Sequence, residues 1–113
     1  MRATIYARTL ERLEEKAGLS YEDIARVVGS SPRSISRWAR GDADPRSRSR
    51  DRLLETSAVV NELSGVLTAD AAHVWLFTPN PFLDFDRPID LVAEGQYRRV
   101  LAAIEALADG VFV

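Results

Sequence analysis

Apolar residues recur every three or four positions along most of this chain, which is the spacing of amphipathic helices. No segment shows the alternation typical of a strand. The first segment predicts a helix from Ile5 to Ala17 that has its apolar positions at Ile5, Leu10, Leu13 and Ala17 and stops at Gly18. Because the spacing continues into the last segment, the pattern predicts an all-α protein.

The second predicted helix has a clear start and stop. Ser20 is placed to cap it, and Asp23 stands in the capping-box position three residues later. The helix is expected to bury Tyr21 and Ile24 on its apolar face and to end at Gly29.

A third helix is predicted from Pro32 to about Arg40, capped by Ser31 and stopped by Gly41. Two short helices around one glycine turn form the helix-turn-helix plan. That plan requires a small residue where the two helices touch, a glycine at the turn and two apolar residues in the second helix. These positions are occupied here by Ala25, Gly29, Ile35 and Trp38. We therefore predict a helix-turn-helix lobe over residues 1–46.

The third helix carries the candidate DNA-binding side chains. The residues that face outward in this register are Arg33, Ser34, Ser36, Arg37 and Arg40. Arginine and serine suit phosphates and base edges in a major groove. The alternatives are a helix pair that serves only packing and an outer face that is merely solvated.

Alternating arginines and serines over residues 46–52 lead into a fourth predicted helix. This run either grips backbone phosphates or forms a flexible joint. From Arg52 to Leu67 the apolar residues return to helical spacing, which predicts a long helix within a linking segment of residues 47–67. That helix would join the first lobe to a helical C-terminal lobe of residues 68–113.

The C-terminal lobe is predicted to begin with a helix capped by Thr68 that runs from Ala69 to about Phe77. Its second half is apolar on all sides, so we expect it to be buried or covered by a partner. Asn80 is placed to cap a short turn that starts at Pro81. Two further helices are predicted over residues 88–94 and 96–108.

The chain closes on one glycine and three apolar residues, Gly110, Val111, Phe112 and Val113. Chain ends are usually polar and poorly ordered, so an apolar end requires a surface to bury against. That surface belongs either to the protein's own helices or to another protein.

Charge is unevenly distributed around a net charge of −2. Residues 1–52 hold 12 of the 15 Lys and Arg and 8 of the 17 Asp and Glu, a net charge of +4, which leaves −6 for residues 53–113. The basic half favours phosphate by counterion release, while the acidic half repels it. Because the chain has no cysteine and no apolar run of signal-peptide or membrane length, the sequence predicts a soluble cytoplasmic protein.

The residues that an enzyme would need are missing. No glycine-rich phosphate loop is present, and the single histidine, His73, is more typical of a packing or interface residue than of a base. Asp84, Asp86 and Asp90 lack the spacing of a calcium loop and fit turns and helix caps instead. We predict no enzymatic activity, no metal site and no cofactor.

The C-terminal half carries an ordered set of residues with a family resemblance: Trp75-Leu76, Pro79-Asn80, Leu83, Pro88-Ile89-Asp90-Leu91, Gly95, Val100, Leu101, Ile104 and Gly110. This set resembles the antitoxins of the MbcA/ParS/Xre family, the partners of RES-domain toxins, and most closely their mycobacterial MbcA branch. One departure is the run from Asp84 to Arg87, where many members have a glycine.

The resemblance implies an all-helical antitoxin whose C-terminal lobe binds a toxin that consumes NAD⁺. It also implies that the final residues lie in the mouth of the toxin's active site, that the helix-turn-helix autoregulates the operon, and that the antitoxin is a homodimer within the complex. The toxin contacts expected on this basis are Trp75, Phe77, Pro79, Asn80, Gly110, Val111, Phe112 and Val113.

A second hypothesis is a helix-turn-helix transcriptional regulator whose C-terminal helices only dimerise it. Such a regulator needs no apolar end after Gly110, whereas an inhibitor that blocks a cleft does.

Overall fold

A computed structural model describes residues 4–110, and the chain in that range is entirely helical, with no β-strand. The α-helices are α1 (Ile5–Ala17), α2 (Tyr21–Val28), α3 (Pro32–Arg40), α4 (Ser47–Ser64), α5 (Ala69–Leu76), α6 (Pro88–Ala93) and α7 (Tyr97–Ala108). A single 3₁₀ turn, Pro81–Leu83, lies between α5 and α6. The all-α prediction is confirmed.

Local capping chemistry sets the ends of the first three helices. The Ser20 hydroxyl accepts the Asp23 N–H at 3.1 Å, and the Asp23 carboxylate accepts the Ser20 N–H at 3.0 Å, which completes the predicted capping box. Ser31 caps α3 through the Ser34 N–H at 3.1 Å. The turn of the helix-turn-helix falls on Gly29, whose φ of 71° is left-handed and strains any residue with a β-carbon.

Helix α4 holds the fold together. It buries Leu53, Val59 and Leu63 completely, and it packs against α1 and α2 on one side of the sequence and against α5, α6 and α7 on the other. The buried apolar side chains of both halves form one contiguous cluster. The HTH helices and the C-terminal helices therefore depend on the same core.

The start and end of α4 differ from the prediction. The helix begins at Ser47, five residues before the predicted Arg52, so the arginine–serine run is helical and is not a flexible joint. A tertiary contact fixes this start, because the Ser49 hydroxyl donates to the Val28 carbonyl at 3.0 Å. The helix ends at Ser64, before the predicted Leu67.

Two residues predicted to lie on apolar helix faces are exposed. Ile5 is 67% exposed because it lies about 140° around α1 from Leu10, on the face opposite the core. Tyr21 is 41% exposed because it is the first residue of α2, at the edge of the core. Among residues 4–110, no helix combines the length and the apolar character required to cross a membrane.

Candidate functional site

The outer face of α3 presents two arginines to solvent. Ile35 and Trp38 anchor the helix, with exposed fractions of 0% and 5%, as the HTH register predicts. Arg33 and Arg37 are exposed and lie four residues apart, so they share one side of the helix. Neither joins an ion pair within residues 4–110, so both guanidinium groups are available for an anion.

The other three predicted DNA-binding residues are engaged within the chain. Arg40 forms an ion pair with Asp42 at 3.0 Å and donates to the Ser36 hydroxyl at 2.8 Å. The Ser34 hydroxyl accepts from the Ser31 hydroxyl at 3.1 Å and is half-buried at the start of α3. Within residues 4–110, Arg33 and Arg37 are therefore unpaired, whereas Arg40 belongs to a hydrogen-bond network with Ser36 and Asp42 at the carboxyl end of α3.

Helix α4 extends the basic surface beyond α3. A polar cleft of about 490 Å³ lies between the two elements, and its lining includes Arg37, Arg46 and Ser49 together with the acidic Asp44. Further exposed arginines of the first turn of α4 are Arg48 and Arg50. Sequence analysis left this run open between two roles, and its helical geometry favours the phosphate-binding one.

A shallow apolar groove follows one side of α5. Its volume is about 510 Å³, and its lining residues are Leu67, Asp70, Ala71, Val74, Trp75 and Thr78. Val74 is 63% exposed, an unusual level for a valine in the middle of a helix, while Ala72 and Leu76 on the opposite side are fully buried. Helix α5 thus has one buried face and one uncovered apolar face.

Trp75 contributes an unsatisfied polar group to this groove. The ring is half-buried, and its Nε1–H is shielded from solvent without a hydrogen-bond partner among residues 4–110. A buried donor without an acceptor is costly, and a tryptophan N–H usually finds one. An acceptor on a partner could reach this group only after the indole ring turns toward the groove.

Phe77 is committed to intramolecular packing. Its ring stacks on His73 with a centroid distance of 4.6 Å, and the Arg87 guanidinium carbon lies 5.8 Å from its centroid. Arg87 in turn makes two hydrogen bonds to Asp90, at 2.8 and 2.9 Å, and this hydrogen bonding raises the pKa of Arg87 above its usual value. His73 packs as predicted, since its Nδ1 also lies 3.0 Å from the Ala17 carbonyl oxygen.

Asn80 organises the loop that follows α5. It is 4% exposed, and its side-chain oxygen accepts the Phe82 N–H at 2.9 Å. Its carbonyl accepts the Leu83 and Phe85 N–H groups at 2.9 and 2.8 Å, and its own N–H donates to the Asp86 carbonyl at 3.1 Å. The neighbouring Pro79 is exposed. Asn80 therefore shapes the loop from inside, and Pro79 is the member of the pair that meets solvent.

Sequence analysis did not single out two exposed aromatic residues of this loop. Phe82 is 48% exposed and Phe85 is 69% exposed. The departure from the family pattern noted above lies here, and the chain still turns as a glycine would, because Asp84 and Phe85 have φ values of 56° and 68°. The sequence did contain a signal for this exposure. The two phenylalanines stand among prolines and aspartates, a composition that is not typical of a buried core.

Gly110 lies just after the last helix, α7. Gly110 is exposed and has a left-handed φ of 82°, so it turns the chain away from the axis of α7. The remaining predicted contacts, Val111, Phe112 and Val113, lie outside the described residues.

Two family profiles match the chain. A profile described as "Helix-turn-helix domain" matches residues 5–70. A second profile, described as "Antitoxin Xre/MbcA/ParS C-terminal toxin-binding domain", matches residues 58–110. The two matches overlap over residues 58–70, from the second half of α4 to the start of α5.

Curated relatives match most or all of the chain. The chain is 43% identical over 113 residues to "Mycobacterial cidal antitoxin MbcA" of Mycobacterium tuberculosis, and the alignment covers all of both chains. It is 36% identical over 96 residues to a probable mycobacterial cidal antitoxin of the same organism, covering 85% of this chain and 82% of that one.

A solved structure has the same fold. The match is to a chain of the crystal structure of the M. tuberculosis MbcT-MbcA toxin-antitoxin complex, with a TM-score of 0.88 and 43% identity, and it covers 98% of this chain and 100% of the other. Because the MbcA antitoxin is 43% identical over its full length and both profiles match, the chain belongs to the Xre/MbcA/ParS family of antitoxins.

Proposed function

We propose that this antitoxin neutralises a RES-domain toxin that degrades NAD⁺, and that its C-terminal half forms the toxin contact. The observation that carries the proposal is the uncovered apolar face of α5, where Val74 is exposed and the Trp75 N–H has no acceptor within the described residues. An apolar face of this kind is typical of an interface. Family membership supports a toxin as the partner, since the solved relative is a toxin-antitoxin complex.

The proposed inhibitory element is the chain end from Gly110 to Val113. Gly110 directs the chain away from α7, and the three apolar residues would enter the entrance of the toxin's NAD⁺ site. Burying a side chain such as Phe112 contributes about 1.5 to 3 kcal/mol before ordering costs, which matters for inhibition but does not hold a complex alone.

The test separates binding from inhibition. The candidate RES-domain toxin, encoded beside the antitoxin gene, is co-expressed and purified with the full chain or with a chain that ends at Asp109. We expect both antitoxins to bind the toxin, and NAD⁺ consumption to return only with the truncated one. A truncated chain that inhibits as well as the full chain would exclude the plug, and a full chain that binds no toxin would favour the regulator hypothesis.

A second function is favoured by the unpaired arginines of α3. We infer that Arg33 and Arg37 contact operator DNA, with Arg46 and the first turn of α4 beside them on the backbone. A homodimer would place two copies of α3 about one duplex turn, roughly 34 Å, apart on a palindromic operator. This arrangement would let the antitoxin repress its own operon.

The test compares two double variants with the same change in charge. Arg33→Ala/Arg37→Ala should abolish operator binding and leave toxin binding intact. Arg8→Ala/Arg12→Ala, on the exposed side of α1, should retain specific operator binding at matched salt. Equal operator affinity of the two double variants would refute the assignment of α3 as the recognition helix.

A further inference from the structure

The turn after Leu83 has a phenylalanine at a position where glycine is preferred. Residues Leu83 to Asp86 form the turn, which closes with the Asp86 N–H on the Leu83 carbonyl at 3.1 Å. Both central residues are left-handed, Asp84 at φ 56° and Phe85 at φ 68°. Two successive positive φ values are the signature of a type I′ turn, in which Asn or Asp followed by Gly is preferred. A bulky side chain at the second position is strained.

Packing within the chain does not explain this phenylalanine. The Phe85 side chain is 69% exposed, so little of its apolar surface is buried by its own protein. The turn is held by other groups, namely the buried Leu83 and the Asn80 carbonyl, which accepts the Phe85 N–H at 2.8 Å. Backbone strain that surrounding structure maintains is typical of functional sites.

The surroundings of Phe85 combine an apolar surface with negative charge. Phe82 lies three residues away and is 48% exposed. The Asp84 side chain is 91% exposed, and Asp86 is exposed as well. The turn therefore presents two aromatic rings beside two carboxylates.

The turn is also preorganised. Asn80 makes four hydrogen bonds inside it, and Arg99 of α7 reaches the Asp84 carboxylate at 3.5 Å. Aromatic anchors on a rigid support lose little conformational entropy on binding, which is the property of interface hot spots.

We propose that Phe85, together with Phe82, is an anchor that inserts into an apolar cleft bordered by basic side chains on the toxin. The inference rests on the proposed antitoxin function and adds a contact to it. One observation selects the toxin over a second copy of the chain, which has a basic half of its own, and two others describe the chemistry of the cleft. The carboxylates of Asp84 and Asp86 require a basic rim, the C-terminal half has a net charge of −6, and the turn lies inside residues 58–110, the segment matched by the toxin-binding profile.

The anchor is separate from the chain end. The pairing of Asp84 with Arg99 places the turn beside the first turns of α7, whereas Gly110 follows the last turn of that helix. Eleven residues of helical rise between Arg99 and Gly110 correspond to roughly 16 Å. The toxin would thus be held at two points, and the anchor would hold it when the final residues are removed.

The test uses Phe85→Gly, a substitution that removes the ring and relieves the backbone at once. Glycine adopts a positive φ without a steric penalty, so the Tm of the free antitoxin should be unchanged or raised. Affinity for the purified toxin should fall at least about thirty-fold, the loss typical of a hot-spot residue. Phe85→Ala should show the same loss of affinity with a lower Tm than Phe85→Gly. Ile5→Ala, which removes a comparably exposed side chain from α1, should bind as the native chain does.

Each outcome decides the matter. Loss of affinity in Phe85→Gly with an unchanged Tm supports the anchor, and native affinity in that variant overturns it. A change in the self-association of Phe85→Gly without a change in toxin affinity assigns the turn to a second copy and also overturns the proposal. Absence of toxin binding by the native chain is a different result, because it removes the proposed function itself.

Discussion

His73 Nδ1 lies 3.0 Å from the carbonyl oxygen of Ala17, so the only histidine of the chain joins α5 to the carboxyl end of α1. A carbonyl oxygen only accepts, so Nδ1 carries the hydrogen in this contact. The other side of the ring stacks on Phe77. One side chain therefore connects the HTH half to the helix that carries the candidate toxin groove.

His73→Ala should lower the free energy of unfolding by about 1 to 2 kcal/mol, because it removes this hydrogen bond and an aromatic stack together. Urea unfolding measures the change. Val74→Ala is the matched control, since Val74 is the next residue of the same helix and is exposed. If the two variants were equally stable, the cross-helix contact would contribute nothing.

Gly95→Ala should destabilise the protein by about 1 to 3 kcal/mol. Gly95 has a φ of 85°, and an added β-carbon would lie 3.1 Å from a guanidinium nitrogen of Arg52. The same nitrogen forms an ion pair with Glu55 at 2.6 Å, so it cannot move away freely. Gly65→Ala should be neutral or slightly stabilising, because Gly65 is right-handed and a β-carbon there has only an ordinary contact of 3.4 Å with the Glu62 carbonyl. Thermal unfolding of both variants checks the contrast, and equal losses would contradict it.

Trp75→Phe should weaken toxin binding about five- to ten-fold while leaving the free protein as stable as before or slightly more so. The substitution keeps an aromatic surface in the groove but removes the Nε1–H that has no acceptor in the described residues. Titration calorimetry with the toxin and urea unfolding of the free chain measure the two quantities. A loss of stability without a loss of affinity would mean that the indole N–H serves the fold.

Arg46→Ala should reduce the slope of log K for DNA against log salt by about 1, with little dependence on sequence. Arg46 is exposed beside Arg37 in the polar cleft, and its side chain makes no capping hydrogen bond to α4, so the fold should not change. Binding isotherms at several salt concentrations provide the slope. An unchanged slope would leave the first turn of α4 outside the DNA contact.

Sequence reasoning succeeded where the determinants are local. The capping box of Ser20 and Asp23 and the cap at Ser31 involve residues three positions apart, so their pattern is visible in the chain itself. The HTH register of Ile35 and Trp38 followed from spacing alone. Helix type and order were therefore predictable.

It failed where a distant contact decides. The start of α4 depends on the Ser49 hydroxyl reaching the Val28 carbonyl, 21 residues earlier in sequence. A local contact was also missed, since Asp42, only two residues after Arg40, and Ser36 engage one of the three arginines of α3. The left-handed backbone of Phe85 contradicts its residue type, so backbone propensity does not predict this turn, although the surrounding prolines and aspartates do indicate exposure.

The core shared through α4 has a consequence for how long the two proposed activities, toxin neutralisation and operon repression, would last in a cell. Leu53, Val59 and Leu63 are buried between the helices that precede α4 and those that follow it, so opening of this helix exposes both halves together. A protease that captures the opened chain would end repression and release the toxin in a single event. The operon would then resume synthesis of antitoxin at the moment when free toxin appears, which ties replenishment to loss without any additional sensor.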